Sequence, residues 1–369
     1  MYELLPDRAP LLFAHCIWVR GHSRSLIYDL QQQRGLSIPG DYSDLMELLE
    51  AHRGASLRTL QARLTSSPSD AHPPDELLDP PPSDAGESGR LLGLLRFLRD
   101  QGVLFCTATP ERFPRLGLRF SRPGFLHSAI LDVDEDSEHA LESLVMELES
   151  LGCELLVVRL KRSAPLTWLN GLLPLLTAGH GMALEVYLEA KALEHETAPR
   201  PWQEVLRALC TAEPRISVVH VLGADAAAWL QAAPSGFGAI LQHRETLSLD
   251  ACEAPSQEAL GISLELFCES QGFNTFMHRK VCITARGRIQ NTIGEAPSFG
   301  RLPRARLADT VKTAAFQEAW GVHKGMIAGC RECELRHACI DPRLPEPTGK
   351  GDYRHTSACH YDPFLGQWR

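Results

Sequence analysis

The sequence predicts an α/β protein made of an α+β N-terminal domain, a partial (β/α)6 TIM-type barrel and an irregular, cysteine-rich cap. Three observations predict this class. The chain has 369 residues, enough for two or three domains. Short apolar strand patterns alternate with amphipathic helix patterns through its middle, and four cysteines gather in the last 40 residues. We place the domains at residues 1–110, 111–271 and 272–369.

The first domain is predicted to contain three strands, three helices and a closing strand. Segments rich in aromatic and β-branched residues predict the strands LLFAHCIWVRG, SLIYDLQ and GLSIPG. Leucines at helical spacing predict helices in DYSDLMELLEAHRG, SLRTLQARL and SGRLLGLLRFLRDQG, and Asp41 or Ser43 is expected to cap the first. VLFCT is the predicted closing strand. Residues 65–88, rich in Pro, Ser and Asp, predict a flexible insertion.

The second domain is predicted to be a parallel sheet covered by helices, because near-continuous apolar strands alternate with amphipathic segments. The predicted strands are AILDVD, ELLVVRL, ALEVYLEA, ISVVHVLG, GAILQH and SLELFCES. Asp132, Asp134, Glu135 and Asp136 lie at the carboxyl end of the first strand. Carboxylates at this position serve catalysis, or they cap the next helix and favour its positive end.

Composition excludes several classes of protein. The net charge of −9 argues against a general nucleic-acid binder, although the last 98 residues hold 15 basic against 9 acidic side chains. No apolar run is long enough for a membrane span, and no basic segment precedes an apolar core at the start, so we expect a cytoplasmic protein without membrane partners. Seven of the 11 cysteines stand singly and are expected to be small buried residues.

The other four cysteines predict a metal centre. Cys330, Cys333 and Cys339 form C-x2-C-x5-C, and Cys359 follows 20 positions later. Four thiolates hold either a tetrahedral Zn2+ or a 4Fe–4S cluster, and nearby histidines leave a mixed Cys/His zinc site open. Arg331 and Arg336 are expected to offset the thiolate charge.

This cysteine pattern resembles the SPASM extension of radical SAM peptide maturases, in which two auxiliary 4Fe–4S clusters are bound. The four cysteines match the ligands of the second cluster. The first cluster lacks ligands, since Thr292 and Arg343 stand where cysteines would, and Cys282 is a possible remnant. The resemblance therefore implies one auxiliary 4Fe–4S cluster. No C-x3-C-x2-C motif occurs in the chain, so no SAM-binding cluster is expected.

A fuller resemblance covers HCIWVRGHSRSLIYDLQ, TATPERFPRLGLRFSRPGFLHSAILDVDED and CRECELRHACIDP…SACHYDPFLGQW. It is to the "grasp-with-spasm" maturase-like proteins, which accompany ATP-grasp ligases and small precursor peptides in graspetide systems and also lack the radical SAM triad. The resemblance implies an accessory protein that works with an ATP-grasp ligase. Two alternatives stay open: a peptide-modifying enzyme that uses the barrel mouth for a non-radical reaction, and electron transfer through the single cluster.

By the same resemblance, the first domain is similar to the recognition element of ribosomally synthesised, post-translationally modified peptide (RiPP) systems. This is a winged-helix-like domain that binds a leader peptide as an added strand. The residues implied in peptide binding are Leu36, Ser37, Ile38, Arg90, Leu91 and Leu94. Proline at Ile38 is expected to remove a hydrogen-bond donor from the binding edge.

A cluster of basic residues is the last candidate site. Between residues 279 and 306 there are seven basic residues and one acidic residue. This surface is either an ordinary solvated loop or a docking patch for an acidic peptide or partner. The residues assigned to the docking patch are Arg279, Lys280, Arg286 and Arg288.

Overall fold

The structure is a computed structural model. It describes residues 4–65, 86–161, 164, 166–177, 181–231, 238–244, 254–257, 260–294 and 296–369. Nearly all of the predicted insertion at 65–88 lies outside these residues, as does Cys252. The other six single cysteines are buried, which confirms that part of the prediction: Cys16, Cys106, Cys153, Cys210, Cys268 and Cys282.

The N-terminal part contains two small antiparallel sheets. Its strands are β1 (Ala9–Leu12), β2 (Cys16–Arg20), β3 (Arg24–Asp29), β4 (Arg34–Pro39) and β5 (Leu104–Thr107). β1 pairs with β5, and the three-stranded sheet has the order β2-β3-β4. The first predicted strand is thus two strands in two different sheets, because the chain turns between Leu12 and Cys16.

Three helices cover one face of the three-stranded sheet. They are α1 (Ser43–Ala51), α2 (Leu57–Thr65) and α3 (Glu87–Asp100). The apolar face of α3 buries the leucine stripe that its sequence predicts. The predicted side-chain cap of α1 is wrong: a short 3-10 turn at Gly40–Tyr42 leads into the helix, and the Ser43 hydroxyl instead pairs with the Ser25 hydroxyl at 3.0 Å.

A nine-stranded sheet forms the centre of the molecule, and it confirms a mixed α/β fold dominated by parallel strands. Its order is β10-β11-β9-β8-β7-β6-β12-β13-β14, and the six strands from β11 to β12 run parallel. The strands are β6 (Ser128–Val133), β7 (Leu155–Leu160), β8 (Ala183–Glu189), β9 (Ile216–Leu222), β10 (Ala228–Gln231), β11 (Ala239–His243), β12 (Lys280–Ile283), β13 (Arg288–Gln290) and β14 (Gly300–Arg301).

Helices pack on one face of this sheet and bury the largest apolar core. They follow the strands in the alternation typical of parallel sheets. The remaining helices of the described residues are α4 (Leu141–Ser150), α5 (Leu169–Thr177), α6 (Ala190–Thr197), α7 (Trp202–Ala212), α8 (Leu264–Ser270), α9 (Leu307–Thr310) and α10 (Ala314–Gln317). None of the helices in the described part of the chain is long and apolar enough to cross a membrane.

The sixth predicted strand is wrong, since SLELFCES is α8 and not a strand. Ser263 caps this helix: its hydroxyl accepts from the Leu266 backbone N–H at 3.2 Å. The sixth parallel strand is β12, which pairs with β6 from beyond residue 272. The central sheet thus continues across the predicted boundary at 271/272, while the domain limits themselves stay predictions.

The C-terminal residues form two short hairpins, made of β15 (Glu346–Gly349) with β16 (Asp352–Arg354) and β17 (Tyr361–Asp362) with β18 (Gln367–Trp368). This segment packs on the face of the three-stranded sheet that α1–α3 leave open. Tyr28 of β3 lies in a buried cluster with Phe267 and Ala338. Its hydroxyl donates to the Glu334 carbonyl at 2.6 Å, which joins the N-terminal sheet directly to the cysteine-rich segment.

Candidate functional site

Two of the four clustered cysteines lie on one tight turn. The Cys333 backbone N–H donates to the Cys330 carbonyl at 3.1 Å. Gly329 precedes the turn with φ of +79°, a conformation that glycine adopts at little cost, and its N–H donates to a Glu332 carboxylate oxygen at 2.9 Å. All four clustered cysteines are partly exposed.

Tertiary contacts bring the other two cysteines to this turn. Cys339 forms an isolated bridge with Leu260, and its carbonyl accepts from the Thr275 hydroxyl at 3.0 Å. Arg343 holds the segment before Cys359 by donating to the Ser357 carbonyl at 2.6 Å. Burial, together with the charges of Asp341, Cys330 and Cys359, raises the pKa of the Cys339 thiol to about 12 against the opposing effect of Lys324. Cys330 and Cys359 are therefore near enough to Cys339 for their charges to raise the pKa of its thiol.

The spacing of these sulfur atoms is wider than a zinc site needs. A tetrahedral Zn2+ with Zn–S bonds of about 2.3 Å places its sulfurs about 3.8 Å apart. In the described residues, no three of the four Sγ atoms lie within 4.8 Å of one another.

Buried charges surround the cysteines. Lys324 Nζ donates to Asp341 Oδ2 at 2.5 Å. The Arg343 guanidinium donates to both oxygens of the same carboxylate, at 2.9 and 2.8 Å. The side chains of all three are at most 9% exposed. The pKa of Lys324 is raised: burial opposes this shift, and the cysteines and Asp341 outweigh it. Both cations lower the pKa of the Cys330 thiol, although burial outweighs them and the pKa is raised overall.

The cations expected from the sequence have other or additional partners. Arg331 pairs with Asp352 at 3.1 Å. Arg336 donates to the carbonyls of Arg20 and Cys333 at 2.7 and 2.8 Å. Arg336 also lies near the Cys333 charge, as the sequence predicts. Lys324 and Arg343 lie near Cys330, and sequence reasoning missed them because neither lies next to a cysteine in the chain.

Thr292 and Arg343 stand where the SPASM pattern has cysteine ligands of a first cluster, and the two positions are neighbours in space. The Thr292 hydroxyl donates to the carbonyl of Pro342, the residue before Arg343, at 2.5 Å. The Arg343 guanidinium is hydrogen-bonded to Asp341 and to the segment before Cys359. Cys282 lies on β12, opposite Gln290 of β13.

The open edge of β4 is the second candidate site. Along an antiparallel pair, hydrogen-bonded and non-hydrogen-bonded partners alternate. Backbone bonds from Leu30 to His15 and from Gly21 to Arg24 show that even-numbered residues of β3 bond β2. Odd-numbered residues of β3 therefore bond β4, and their partners there are residues 34, 36 and 38.

The backbone groups of Gly35 and Ser37 consequently face outward. Both residues are exposed, and β4 pairs only with β3 among the described residues. The backbone groups of Ile38 are hydrogen-bonded to β3. Proline at Ile38 would therefore remove a hydrogen bond inside the sheet and not a donor on its open edge. The expectation that Ile38 offers a donor on the binding edge is wrong, because the sequence does not show which alternate residues of a strand bond its neighbour until the register is known.

Helix α3 runs antiparallel beside β4. At one end, Arg34 Nη2 donates to the Gln101 carbonyl at 2.7 Å, and at the other, Arg90 Nη2 donates to the Asp41 carbonyl at 2.8 Å. Between these contacts, Gly93 and Phe97 lie on the same helical stripe as Arg90 and Gln101 and are partly buried.

Half of the predicted peptide-binding side chains lie in the core. Ile38 and Leu91 are 0% exposed and Leu94 is 4% exposed, so these side chains support the β4–α3 surface from within. Leu36 is partly buried, whereas Ser37 is exposed and Arg90 is partly exposed. Sequence reasoning missed Gly93 and Phe97, which helical spacing from Arg90 would have identified once the direction of α3 beside β4 was known.

The predicted basic patch divides into two pairs. Arg279 is tied to the carbonyls of Arg122 and Gly124, and Lys280 Nζ donates to the Thr275 carbonyl at 2.5 Å. Burial lowers the pKa of Lys280. Both residues are thus engaged within the protein.

Arg286 and Arg288 are on the surface. Arg286 pairs with Asp136 at 2.8 Å and lines a cleft of about 740 Å³ with Arg301 and Arg304. Arg288 lies directly opposite Arg301 on β13 and β14, an arrangement of like charges that destabilises a sheet and favours an anion.

A row of polar side chains crosses the sheet face opposite the main core. Arg159 binds Asp132 through two bonds of 2.6 and 2.8 Å. His220 Nε2 lies 2.9 Å from Glu185, and its Nδ1 lies 3.0 Å from His243 Nε2. The Tyr187 ring stacks on His220, with centroids 4.2 Å apart. Burial raises the pKa of Glu185, but hydrogen bonds from His220 and Tyr187 outweigh it and lower the pKa overall.

The carboxylates after β6 do not cap the next helix. Asp134 Oδ1 accepts from the Asp136 N–H and the Ser137 hydroxyl, which closes a local turn. Helix α4 begins with Ala140 at its N-cap and has no side-chain cap. Glu135 and Asp136 instead line the 740 Å³ cleft.

Comparison with known proteins gives two distant structural matches. No family model matches the chain, and no curated protein matches it. The crystal structure of Streptococcus suis SuiB bound to S-adenosylmethionine matches at 10% identity, covering 90% of this chain and 94% of that chain with a TM-score of 0.29. A second structure of Streptococcus suis SuiB matches at 9% identity, covering 94% and 99%, with a TM-score of 0.27. At these values the likeness assigns neither an activity nor a partner.

Proposed function

We propose that this chain is an accessory protein of ribosomal peptide maturation that binds the leader of a precursor peptide along β4. The observation that supports this most is the open edge of β4, where Gly35 and Ser37 direct their backbone groups outward beside α3. An added peptide strand gains main-chain hydrogen bonds from such an edge, and side-chain recesses beside it select the sequence. In this proposal the N-terminal part acts as a winged-helix-like recognition element.

The peptide would bind over the β4–α3 surface. Exposed backbone at Gly35 and Ser37 supplies affinity, and the Gly93–Phe97 stripe supplies an apolar wall. Arg90 stands at the end of this wall with its guanidinium 5.5 Å from the centre of the Tyr42 ring. Because Leu91, Leu94 and Ile38 are buried, their role is to hold this surface in shape.

The four clustered cysteines suit one 4Fe–4S cluster. The support is that four cysteines lie in one segment and that the Lys324 and Arg343 cations lie near Cys330, where they lower the pKa of its thiol against the effect of burial. His355 Nδ1 is buried without a hydrogen-bond partner among the described residues, which fits a site that gains a further group. Cys330, Cys333, Cys339 and Cys359 would hold the cluster, and a bound cluster stabilises the fold around it and is capable of electron transfer. Zn2+ remains the alternative that metal analysis decides.

The partner in this proposal is an ATP-grasp ligase that modifies the peptide, and the surface arginines dock an acidic segment. The exposed part of the basic surface consists of Arg286, Arg288, Arg301, Arg304 and Arg306. A surface of this charge accelerates association with an acidic peptide at low salt.

The test is a binding titration with labelled leader segments of the short peptides encoded beside the gene. Ser37→Pro removes one outward N–H without removing a bond to β3, whereas Ser37→Ala keeps that N–H. One lost hydrogen bond is worth about 0.5–1.5 kcal/mol, so we expect Ser37→Pro to weaken binding at least about 2- to 12-fold and Ser37→Ala to bind as the wild type does. Equal affinities for all three proteins would refute strand addition.

A second function is favoured by the polar row on the sheet. Glu185, His220 and His243 form a carboxylate–imidazole–imidazole chain able to move a proton, and Tyr187 packs against it. This arrangement supports the alternative of a peptide-modifying enzyme. An accessory protein leaves the precursor mass unchanged without the ligase; a mass change that is lost in His220→Ala would instead establish the enzyme.

A further inference from the structure

Three metal-binding side chains converge where β2 begins and β3 ends. Cys16 and Asp29 are cross-strand partners. The adjoining pair, His15 with Leu30, is hydrogen-bonded through the backbone at 3.0 Å, so Cys16 and Asp29 form the non-hydrogen-bonded type of pair, in which side chains approach most closely. His15 adds its ring from the preceding turn, with Nε2 3.6 Å from Asp29 Oδ1.

The donor atoms are close enough to share one ion. The Cys16 sulfur, a His15 ring nitrogen and an Asp29 carboxylate oxygen all lie within 4.8 Å of one another. A tetrahedral ion with bonds of about 2.0–2.3 Å needs donors about 3.3–3.8 Å apart, which small side-chain rotations supply here. In the described part of the chain, no other three residues of these types meet this criterion.

The burial of the group is unlike that of ordinary surface carboxylates. Asp29 is 1% exposed and Cys16 is 4% exposed. The His15 side chain is 29% exposed, which leaves a path from solvent to the donors. Burial and the neighbouring Asp29 charge raise the pKa of the Cys16 thiol to about 12, so an ion entering the site must displace a proton from sulfur.

We propose that His15, Cys16 and Asp29 bind a divalent transition metal of the Zn2+ type. One thiolate, one imidazole and one carboxylate are a donor set that Zn2+ and Co2+ accept, and three protein ligands leave a fourth position for water or another ligand. The ion joins the start of β2 to the end of β3.

This site is separate from the four clustered cysteines. Cys16 packs in the core beneath α1–α3, on one face of the three-stranded sheet. Tyr28 points to the opposite face, where it contacts the cysteine-rich segment. Asp29 also receives Arg34 Nε at 3.2 Å and the Gln32 N–H at 3.0 Å, and these bonds hold the carboxylate in place.

The experiment titrates Co2+ into anaerobic full-length protein whose four-cysteine site has been reconstituted with iron and sulfide. Thiolate–cobalt absorption reports sulfur coordination, and a chromophoric chelator competition gives affinity. We expect one Co2+ equivalent with a thiolate band in the wild type, and its loss in Cys16→Ala. Cys106→Ala removes another buried cysteine of the same core and should keep both the band and the affinity.

If Cys16→Ala fails to fold, His15→Ala tests the metal site instead, because the His15 side chain is partly exposed and its loss leaves the core intact. We expect this variant to bind Co2+ at least about tenfold more weakly, with an unchanged circular dichroism spectrum. Unchanged stoichiometry and affinity in a folded Cys16→Ala or His15→Ala protein would overturn the proposal. Equal loss in Cys106→Ala would overturn it as well.

Discussion

Asp341→Asn tests whether the buried charge network holds the cysteine-rich segment together. The Asp341 carboxylate is 2% exposed and receives both Lys324 and Arg343. Asparagine keeps the shape of the side chain but leaves two buried cations without a counter-charge. Removing one partner of a buried ion pair costs about 3–5 kcal/mol.

The expected loss is large enough to measure in the whole chain. An unfolding entropy of about 2.1 cal/mol/K per residue over 369 residues converts 3–5 kcal/mol into a Tm decrease of about 4–6 °C. Urea unfolding followed by tryptophan fluorescence, under reducing anaerobic conditions, gives the free-energy difference independently.

Asp352→Asn is the matched control. Asp352 pairs with Arg331 at 3.1 Å, but its side chain is 50% exposed, so its loss should cost less than about 1 kcal/mol. If Asp341→Asn unfolds at the same urea concentration as Asp352→Asn, the buried network does not stabilise this segment and the reasoning is refuted.

Three further substitutions test other parts of the structure. Tyr28→Phe removes the hydroxyl that binds the Glu334 carbonyl and should cost about 1–3 kcal/mol in urea unfolding; an unchanged midpoint would contradict this link between the two parts. Glu185→Gln should destabilise the protein by about 1–3 kcal/mol at pH 7, because the carboxylate is held by His220 with a lowered pKa. Its stabilisation is present above the unfolded pKa of about 4.3 and is lost as pH falls through the lower folded pKa, so the difference from wild type should shrink only below about pH 4. Leu91→Ala opens a cavity beneath the β4–α3 surface and should cost about 2–5 kcal/mol, a value that a loss below 1 kcal/mol would exclude.

Much of the local structure was predictable because it depends on short-range patterns. The leucine stripe of α3 and five of the six parallel strands follow from apolar spacing alone. The error at SLELFCES shows the limit of that reasoning: a short apolar run suits a strand or a helix, and the Ser263 cap decided for the helix. The missing strand, β12, is only four residues long and is recognisable as parallel only by its pairing with β6.

The residues of the candidate sites also differ in how far the sequence could predict them. The C-x2-C-x5-C spacing predicted three of the four cysteine ligands and Cys359 was added from further along the chain; of these, Cys330 and Cys333 share a turn because they are close in sequence. The compensating charges of Lys324 and Arg343 and the grouping of His15 and Cys16 with Asp29 depend on contacts between distant segments.

By itself, the sequence determined most of the helices and strands and the α/β class of the fold, and it predicts a four-cysteine centre. Only the tertiary structure decided which backbone groups of β4 face outward, since a shift of one residue in strand register would exchange Ser37 with Ile38. It also decided which cations lie beside the thiols. Register and burial arise from packing between segments far apart in the chain, and no local pattern of residues specifies them.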